Sequence, residues 1–575
     1  MEIRLNDLEV RFEGKLIYCD TETNGLYGDV MTLQVYSPDT FDGVYVFTIG
    51  EYPLVLMKKR LSEAETTVWH NGSYDFNCLG WLPEDRSRYE DTFILDTLVN
   101  YRMDKHSLDD VMIRCYKADK YAGFNKREMQ KSDWSGSLSE AQMLYAATDV
   151  YYLKDVYLGL HKELQAEWEY DLDKATVINF CKMGQRLPID VEGLKAHKVE
   201  NNKKIRALDL PINVNSYQQV RPYISGLPKD EAIATVGSDD DALALACSKG
   251  NEKACNVRTS RSLKKQISFI NKFLAEKMDE DYIQGRLNVG TRSGRSKCAS
   301  QNLQQVPQAF KQYIKSRKYM VYSDYAQLEL RSLCALIGEE VFERLFREKA
   351  DLHDFVKESL FGTDDTQKVS DAGRGNSLRQ IAKIYSFASL YGAGWATIGG
   401  VLMKYTGISL SEAELKANKK KWLSTFPGVK VWHDQNIRHW QAKRPLTCVM
   451  GRQYVGKLPT DTNNIINQNL GATVAKLAMV YMSREMDLSK FLIFVHDSWT
   501  AEYDTLEEAK QAAEIMANCM SRAWFDVTAN CKIKDLPMPV EAYVQWEGSW
   551  KTVDGDSDDV HAYVLDSHNG IASWK

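Results

Sequence analysis

A segment near the middle of the chain, residues 322–331, sets narrow limits on the fold. The apolar residues Val321 and Tyr322 lead to Asp324, so the pattern predicts a buried strand that ends on a carboxylate. Five residues after this acid, Glu329 opens a helical pattern. A strand that delivers an acid to a cleft and then turns into a polar helix is typical of phosphoryl-transfer sites that hold a divalent metal. An ordinary strand–turn–helix with a capping Asp would give the same local pattern.

The composition is that of a soluble globular enzyme with several domains. The chain has 575 residues, 44% hydrophobic and 26% charged, and no apolar run approaches the roughly 18 residues that span a bilayer. The N-terminus lacks the apolar core of a signal peptide. The eleven cysteines include no C-x-x-C pair, so neither a zinc ribbon nor a disulfide framework is indicated, and a reducing cytoplasm fits best. The net charge of -6 does not exclude a polymerase or a nuclease, because bulk charge says little about one groove.

The hydrophobic pattern divides the chain into an α/β part, a helical part and a mixed part. Residues 1–165 alternate short strands with helical patterns, residues 166–285 are mostly helical, and a Gly/Ser/Arg-rich segment at 290–300 introduces the remainder. That segment carries one of several basic clusters, each of which alone fits a solvated face. Strands are predicted at Lys15–Cys19, Met31–Tyr36, Val44–Phe47, Thr67–Trp69, 319–324 and Phe491–Val495.

Acidic residues occur in three blocks of the N-terminal part. Asp20 and Glu22 end an apolar strand at positions i and i+2, so both carboxylates face one cleft. Asp75 follows a later strand, and Tyr145 and Asp149 lie four apart on one face of a predicted helix. Each block alone fits a capping or surface acid. Together, in this order, the blocks resemble the proofreading 3′→5′ exonuclease domain of DNA polymerases.

The exonuclease resemblance implies a metal site. It carries four acids over as ligands of two Mg²⁺ ions: Asp20, Glu22, Asp75 and Asp149. Tyr145 would orient the attacking water. Two further acids, Asp91 and Asp96, are left as structural or secondary residues.

One predicted helix of the C-terminal part places a functional side chain at every fourth position. Four residues advance an α-helix by about 400°, so such side chains drift only about 40° from one to the next. The resulting stripe has two cations and then two aromatics: Arg379, Lys383, Phe387 and Tyr391. A triphosphate grip followed by a base-stacking surface explains this order, whereas a buried helix rarely aligns cations with its aromatics. Gly392 then ends or kinks the helix.

A second apolar strand, Phe491–Val495, ends in His496 and Asp497 and supplies a partner for Asp324. Other motif residues lie along the same part of the chain: 293–295, 301–307, 351–353, Gly451, Arg452, Asn464 and Gln468. With these motifs the chain resembles the family A DNA polymerases of the bacterial polymerase I and phage replicative type. The resemblance extends from about residue 15 to about residue 551.

The resemblance implies an α/β multi-domain fold, with a ribonuclease H-like exonuclease domain at 1–165 and a right-hand polymerase domain at 166–575. It divides the polymerase domain into a thumb at about 166–290, a palm at about 291–345 and 430–575, and fingers at about 346–429. The implied activity is template-directed addition of dNTPs to a primer 3′ end by two-metal phosphoryl transfer, with 3′→5′ proofreading.

The resemblance also implies roles for single residues. Asp324 and Asp497 would bind the two catalytic metals, with Lys383 acting beside them. The residues expected to bind the incoming dNTP are Arg379, Lys383, Phe387, Tyr391, His353, Glu329 and Gln327. Among these, Glu329 would be a steric gate against a ribose 2′-hydroxyl. The residues expected to contact primer–template DNA are Arg295, Asn302, Gln304, Arg331, Arg452, Asn464, Gln468 and His496.

The expected cofactor is Mg²⁺, two ions per active site, for which Mn²⁺ could substitute. The expected partners are primer–template DNA and dNTPs, with a replisome helicase, primase or single-strand-binding protein as further candidates. The compact layout suggests a phage replication enzyme that works as a monomer in the host cytoplasm, without a membrane.

Ser498 departs from the family pattern, which has an acid directly after His-Asp. It leaves open a 3′→5′ exonuclease whose polymerase half has degenerated into a DNA-binding scaffold. A non-catalytic replisome subunit is opposed by the intact acids and cations of both sites. A single-subunit RNA polymerase is opposed by Glu329 and by the attached exonuclease domain. The acidic residues between 554 and 559 look like a short extension to which no role is assigned.

Overall fold

We describe the protein from a computed structural model. The structure describes residues 1–7, 9–50, 52–117, 126–278, 281–362, 378–406, 410–550, 563–568 and 571–574. The acidic segment at 554–559 lies outside these residues. Among the described residues, no helix is long and apolar enough to cross a membrane.

The N-terminal part is a six-stranded sheet in the order β1-β4-β3-β2-β5-β6. Its strands are β1 (Glu2–Leu5), β2 (Leu16–Thr23), β3 (Val30–Tyr36), β4 (Gly43–Thr48), β5 (Thr66–Trp69) and β6 (Tyr89–Asp91). Its helices are α1 (Leu54–Glu63), α2 (Ser73–Leu79), α3 (Thr92–Val99), α4 (Leu108–Tyr116), α5 (Lys126–Met129), α6 (Glu140–Tyr151) and α7 (Leu153–Glu163). The four strands predicted here are present, and β2 runs beyond its predicted end to Thr23.

The central strand β2 is antiparallel to β3 and parallel to β5. Its apolar residues Ile17, Tyr18 and Cys19 are buried, because helices cover both faces of this sheet. Beyond these residues, Asp20, Glu22 and Thr23 are partly exposed near the end of the strand. The carboxyl end of β2 is therefore the place where this sheet can present polar side chains to a ligand.

The middle part is mostly helical, as predicted. Its elements are α8 (Glu167–Lys182), β7 (Arg186–Pro188), α9 (Val191–Ala207), α10 (Tyr217–Ser225), α11 (Lys229–Thr235), α12 (Asp240–Ser248), α13 (Glu252–Ala275), β8 (Lys277–Met278) and β9 (Tyr282–Gln284). The sequence pattern indicated no disulfide framework, and it did not predict the single disulfide between Cys247 and Cys255. A tight turn after α12 brings the two residues within 5.0 Å between Cα atoms, a distance that suits a disulfide. The C-x-x-C rule does not cover a pair eight residues apart.

The C-terminal part is built on a second six-stranded sheet, in the order β15-β16-β12-β17-β18-β19. Its strands are β12 (Tyr319–Tyr325), β15 (Phe491–Val495), β16 (Ser498–Tyr503), β17 (Val540–Trp546), β18 (Tyr563–His568) and β19 (Ile571–Trp574). Two hairpins lie outside this sheet: β10 (Arg286–Asn288) with β11 (Lys297–Ala299), and β13 (Leu446–Thr447) with β14 (Gln453–Tyr454). The strands predicted at 319–324 and 491–495 are confirmed, and they lie on either side of β16.

The C-terminal part also contains helices of four to 27 residues. They are α14 (Gln308–Lys311), α15 (Leu328–Ile337), α16 (Glu340–Arg347), α17 (Leu352–Phe361), α18 (Leu378–Leu390), α19 (Trp395–Thr406), α20 (Glu412–Thr425), α21 (Pro427–Gln441), α22 (Pro459–Glu485) and α23 (Leu506–Thr528). Of these, α23 packs on the sheet. Short 3₁₀ turns occur at Arg86–Arg88, Leu303–Gln305 and Leu488–Lys490. Helix α18 carries Arg379, Lys383 and Phe387 of the predicted stripe, whereas Tyr391 lies just past its end. Gly392 follows with a φ of +77°, in the left-handed region that glycine enters at little cost.

Helix α8 lies between the two parts and contacts both through ionic groups. On one side, Lys174 Nζ is 2.9 Å from a carboxylate oxygen of Glu90 in β6. On the other side, Glu169 and Asp173 accept hydrogen bonds of 2.8 and 2.7 Å from Arg452. The Arg452 side chain is only 2% exposed.

The prediction that Arg452 contacts DNA is therefore wrong for this structure. The Arg452 guanidinium donates hydrogen bonds to two buried carboxylates. A charged group in the interior requires such opposite charges beside it. The prediction for Arg331 is also wrong. Its guanidinium is buried and donates to the backbone oxygens of Ala326 and Pro537, and it lies 4.2 Å above the ring of Phe346.

Two candidate active sites

The first site lies at the carboxyl end of β2. Asp20 and Glu22 project from this strand to the same face, as their i, i+2 spacing predicts. Helix α6, which packs on β2, brings Asp149 to them. One oxygen of each carboxylate lies within 4.8 Å of the others, which suits a shared divalent cation. The structure thus brings together residues that are far apart in the sequence.

Asp75 completes this set from the first turn of α2. Its carboxylate accepts a 2.6 Å hydrogen bond from Thr21 Oγ1, so Asp75 is anchored between the two acids of β2. Desolvation raises the pKa of Asp75 to about 7. Desolvation and the nearby Asp75 and Asp149 also hold the pKa of Asp20 well above its usual value. Such crowding of buried carboxyl groups is relieved by a bound cation, so the residues fit a metal site.

Tyr145 lies on α6 one turn before Asp149 and lines the same cleft. Burial and the negative charges of Asp149 and Glu22 raise the pKa of its hydroxyl, which keeps it a hydrogen-bond donor. The other two acids are structural. Asp91 caps α3 through Phe93 N, and Asp96 pairs with Arg114.

The cleft has a volume of about 850 Å³, and part of its wall comes from the C-terminal half of the chain. Arg286, Asn288 and Lys297, from hairpin β10–β11, line the same cleft as the acids. The motif reading missed Arg286 and Asn288 altogether. Lys297 belongs to a basic cluster in the sequence, but the cluster gives no sign of which cleft it faces.

The second site lies where β12 meets the β15–β16 turn. Asp324 and Ser498 are register partners on β12 and β16. Asp497 occupies the two-residue turn before Ser498, where its backbone N–H donates a 2.7 Å bond to Val495 O. The turn is tight because the preceding residue, His496, adopts a φ of +57°. This local geometry directs Asp497 toward Asp324.

Burial raises the pKa of both carboxyl groups at this site. One carboxylate oxygen of Asp324 is buried with no hydrogen-bond partner among the described residues. Desolvation, followed by the charge of Asp497, holds the pKa of Asp324 well above its usual value. Desolvation raises the pKa of Asp497 to about 6, with Glu329 as the next cause. An orphaned carboxylate oxygen beside a second acid fits a divalent cation.

A cleft of about 440 Å³ joins these acids to the cationic end of α18. The lining residues that belong to the predicted dNTP set are Arg379, Lys383, His353, Phe387, Gln327 and Glu329. Arg379 forms an ion pair with Asp351 at the start of α17. Desolvation lowers the pKa of His353 to about 4, so this ring is neutral at pH 7. The stripe predicted from the sequence therefore faces Asp324 and Asp497.

Two family models match the chain, one in each half. The model described as 3′-5′ exonuclease covers residues 4–165, and the model described as DNA polymerase family A covers residues 191–552. The second match spans more than half of the chain. The chain belongs to DNA polymerase family A. It is therefore classed as a DNA-directed DNA polymerase with an exonuclease domain. Helix α8 falls between the two matched ranges.

Relatives of this family A chain include bacterial polymerases. DNA polymerase I of Aquifex aeolicus is 25% identical, and the match covers 92% of this chain and 95% of the relative. DNA polymerase I of Borreliella burgdorferi is 24% identical over 96% of this chain and 64% of the relative. A solved structure, the POL domain of Pol1 from M. smegmatis in complex with DNA primer-template and dNTP, has a TM-score of 0.75. It is 17% identical and covers 94% of this chain and 96% of that chain, which shows a shared fold.

Two predicted substrate contacts, the dNTP residue Tyr391 and the DNA residue Arg295, do not line the cleft of the second site but bind Glu329, which does. Tyr391 donates a hydrogen bond to one carboxylate oxygen of Glu329. Arg295 forms an ion pair with the other oxygen. Glu329, the predicted steric gate, is thus held by Tyr391 on one side and by Arg295 on the other. These two contacts fix the rotamer of Glu329 without a bound substrate.

The remaining residues predicted to contact DNA differ in accessibility. Asn302 and His496 are exposed, and Asn464 and Gln468 are half-buried on α22. Gln304 is committed to protein groups, since its amide donates to Ser296 Oγ at 2.6 Å and to Phe494 O at 3.1 Å. Their contact with DNA stays a prediction.

Proposed function

We propose that this family A chain extends a DNA primer along a template and removes mismatched 3′ ends at a second, separate site. The observation that carries the proposal is the arrangement of two clefts. One cleft combines the acids Asp324 and Asp497 with the cations Arg379 and Lys383 of α18, and the other combines four acids. The printed title of the M. smegmatis structure, a complex with primer-template and dNTP, supports the same substrates here.

At the polymerase cleft, Asp324 and Asp497 would hold two divalent ions, with Mg²⁺ as the proposed metal and Mn²⁺ as a substitute. Bound there, the metal would polarise phosphate oxygens and lower the pKa of the primer hydroxyl. Arg379 and Lys383 neutralise the triphosphate and orient it in line with that hydroxyl. Phe387 offers a ring to the incoming base, and Glu329 fills the space beneath the sugar.

At the exonuclease cleft, the metal ligands would be Asp20, Glu22, Asp75 and Asp149. Tyr145 would orient the attacking water by donating a hydrogen bond from its hydroxyl group, because its raised pKa keeps the hydroxyl protonated. A mismatched primer end separates from the template more readily than a paired end does. The proposed route to proofreading is therefore transfer of the frayed strand between the two clefts.

The finer assignments are also proposals. The exonuclease domain would be residues 1–165. The polymerase domain, 166–575, would have its thumb at about 166–290, its palm at about 291–345 and 430–575, and its fingers at about 346–429. A phage origin, a monomeric state, the host cytoplasm and replisome partners belong to the same proposal, and the relatives named above are bacterial.

The test is a labelled primer–template incubated with Mg²⁺, with and without dNTPs. Extension with dNTPs and degradation without them supports the proposal. Asp497→Ala should abolish extension and leave degradation, whereas the double change Asp20→Ala and Glu22→Ala should do the reverse. Degradation under both conditions by the unmodified protein would instead favour an exonuclease with a degenerate polymerase half, the reading that Ser498 leaves open.

A further inference from the structure

The exonuclease cleft is lined by two chemically different sets of residues. The acids Asp20, Glu22, Asp75 and Asp149 line it from the N-terminal half, and hairpin β10–β11 of the polymerase half lines it as well. Among the described residues that line the cleft, the lysine and arginine side chains are Arg286 and Lys297, and both belong to this hairpin. An anionic strand bound in this cleft would therefore have both cations of the hairpin within the same cavity.

Residues of the exonuclease half hold Arg286 in place. Its Nη1 atom donates a 2.8 Å hydrogen bond to Asn77 Oδ1. Its guanidinium carbon lies 4.9 Å from the centre of the Tyr27 ring. The described part of the chain offers no acceptor to the other guanidinium N–H groups, so they remain available to an anion.

Lys297 is held in a similar way. Its ammonium lies 4.7 Å from the centre of the Phe93 ring, and no carboxylate of the described residues forms an ion pair with it. Between the two cations, Asn288 Nδ2 donates a 2.7 Å hydrogen bond to Asn71 Oδ1. Gly290 lies so close to Phe93 that a Cβ atom there would be 2.4 Å from the ring. The hairpin is thus fitted against the exonuclease half.

A cation that is oriented by an aromatic ring and lacks a carboxylate partner suits a phosphate group. The rings of Tyr27 and Phe93 beside the two cations offer surfaces on which unpaired bases can stack. We propose that Arg286 and Lys297 bind backbone phosphates of a single-stranded DNA 3′ end, so that the polymerase half completes the exonuclease site. The inference rests on the proposed exonuclease function and adds the residues that hold its substrate.

The test uses the full chain with Arg286→Met and with Lys297→Met, which remove the charge and keep an apolar stem. Degradation of a single-stranded oligonucleotide is measured at several salt concentrations. Each change should raise KM about tenfold, the scale of one hydrogen bond to a charged group. It should also reduce the slope of log(kcat/KM) against log salt by about 0.7, the value for one lost phosphate contact on a single strand. Arg286→Lys and Lys297→Arg should restore most of both quantities.

A matched control is Arg186→Met, since this guanidinium lies 4.8 Å from the Tyr282 ring but does not line the cleft. Its KM and salt slope should match the unmodified protein. A second substrate, the nitrophenyl ester of a mononucleotide, has no upstream phosphates and should be hydrolysed equally by all variants.

An unchanged KM and salt slope for single strands would overturn the inference. Equal losses on both substrates would also overturn it, because the residues would then act at the metal site. If the unmodified protein degraded neither substrate, the proposed exonuclease function itself would have failed.

Discussion

Replacing Arg452 with Met should destabilise the protein and leave its DNA affinity intact. The guanidinium belongs to a buried cluster of two acids and two bases, with Glu169, Asp173 and Lys476 as the other members. Without it, Lys476 still neutralises Asp173 at 2.5 Å, but Glu169 keeps only the neutral donors Asn469 and Thr473. One uncompensated charge then remains in the interior, and removing one partner of a buried ion pair costs about 3–5 kcal/mol.

The loss should depend on pH in a defined direction. In the unmodified protein, Arg452 and Lys476 outweigh desolvation and lower the pKa of Glu169 to about 2. The stability from this shift is fully present above the unfolded pKa of about 4.5 and is lost only as pH falls toward 2. In the variant, desolvation dominates and raises the pKa of Glu169 above the unfolded value. The variant should therefore lose stability as pH rises from about 5, and its deficit should be larger at pH 8 than at pH 5.

The assay is denaturant unfolding at pH 5 and pH 8, with primer–template affinity measured at a temperature where all variants are folded. The matched control is the double change Arg452→Met with Glu169→Gln, which returns the cluster to zero net charge and should recover most of the lost free energy. If Arg452→Met left the free energy of unfolding unchanged and weakened the binding of primer–template, a stabilising role in the buried cluster would be refuted. Arg452 would then be a DNA contact, as the sequence predicted.

Three further predictions concern the two clefts. In EDTA the unfolding free energy should fall as pH rises from about 4 to about 7, because the folded protein holds protons on Asp75 (pKa about 7) that the unfolded chain has lost. Differential scanning fluorimetry of Asp75→Asn should show a weaker pH slope than the unmodified protein, and an equal slope would contradict the assignment. Glu329→Ala should raise ribonucleotide incorporation relative to deoxyribonucleotide by roughly 10–100-fold; single-turnover kinetics would test this, and an equal rise for Glu329→Gln, which keeps the side-chain volume, would argue against a steric role. Ser498→Ala should extend primers at nearly the normal rate and lose about 1 kcal/mol of stability or less, since its hydroxyl donates only a 3.2 Å bond to Val495 O. A large loss of extension rate in this variant would mean that the hydroxyl takes part in the site.

Local pattern predicted six strands, all of which are present, whereas the metal-site roles of the acids came from the resemblance to family A polymerases. Asp324 and Asp497 each follow a run of apolar residues, a pattern that predicts a buried strand. The four-residue spacing of the functional side chains from Arg379 onward can also be read directly from the sequence. These features are local in the chain, and hydrophobic periodicity records them directly.

Properties that arise only when distant segments meet could not be predicted. Arg452 and Arg331 occur in motif positions, but whether an arginine reaches DNA or a buried acceptor depends on residues up to 283 positions away, such as Glu169. The same holds for Arg286, whose partner Asn77 is 209 residues distant. The disulfide between Cys247 and Cys255 depends on how a turn orients two helices. Periodicity carries no information on such pairings.

Helix α8 has a consequence for how the molecule unfolds. Tyr170 donates to Glu90 at 2.7 Å and accepts from Asp91 N at 2.8 Å, while one turn of the helix away Asp173 is bound to Lys476. The same few turns of backbone lie in one continuous hydrophobic core that includes residues of the N-terminal sheet and of the C-terminal half. Neither part can lose its contacts with α8 without exposing charged groups that are now buried. The nuclease and synthetic halves should accordingly melt as one cooperative unit rather than in two steps. A destabilising substitution in α8 would then abolish primer extension and exonuclease activity together, although the substituted residue would line neither cleft.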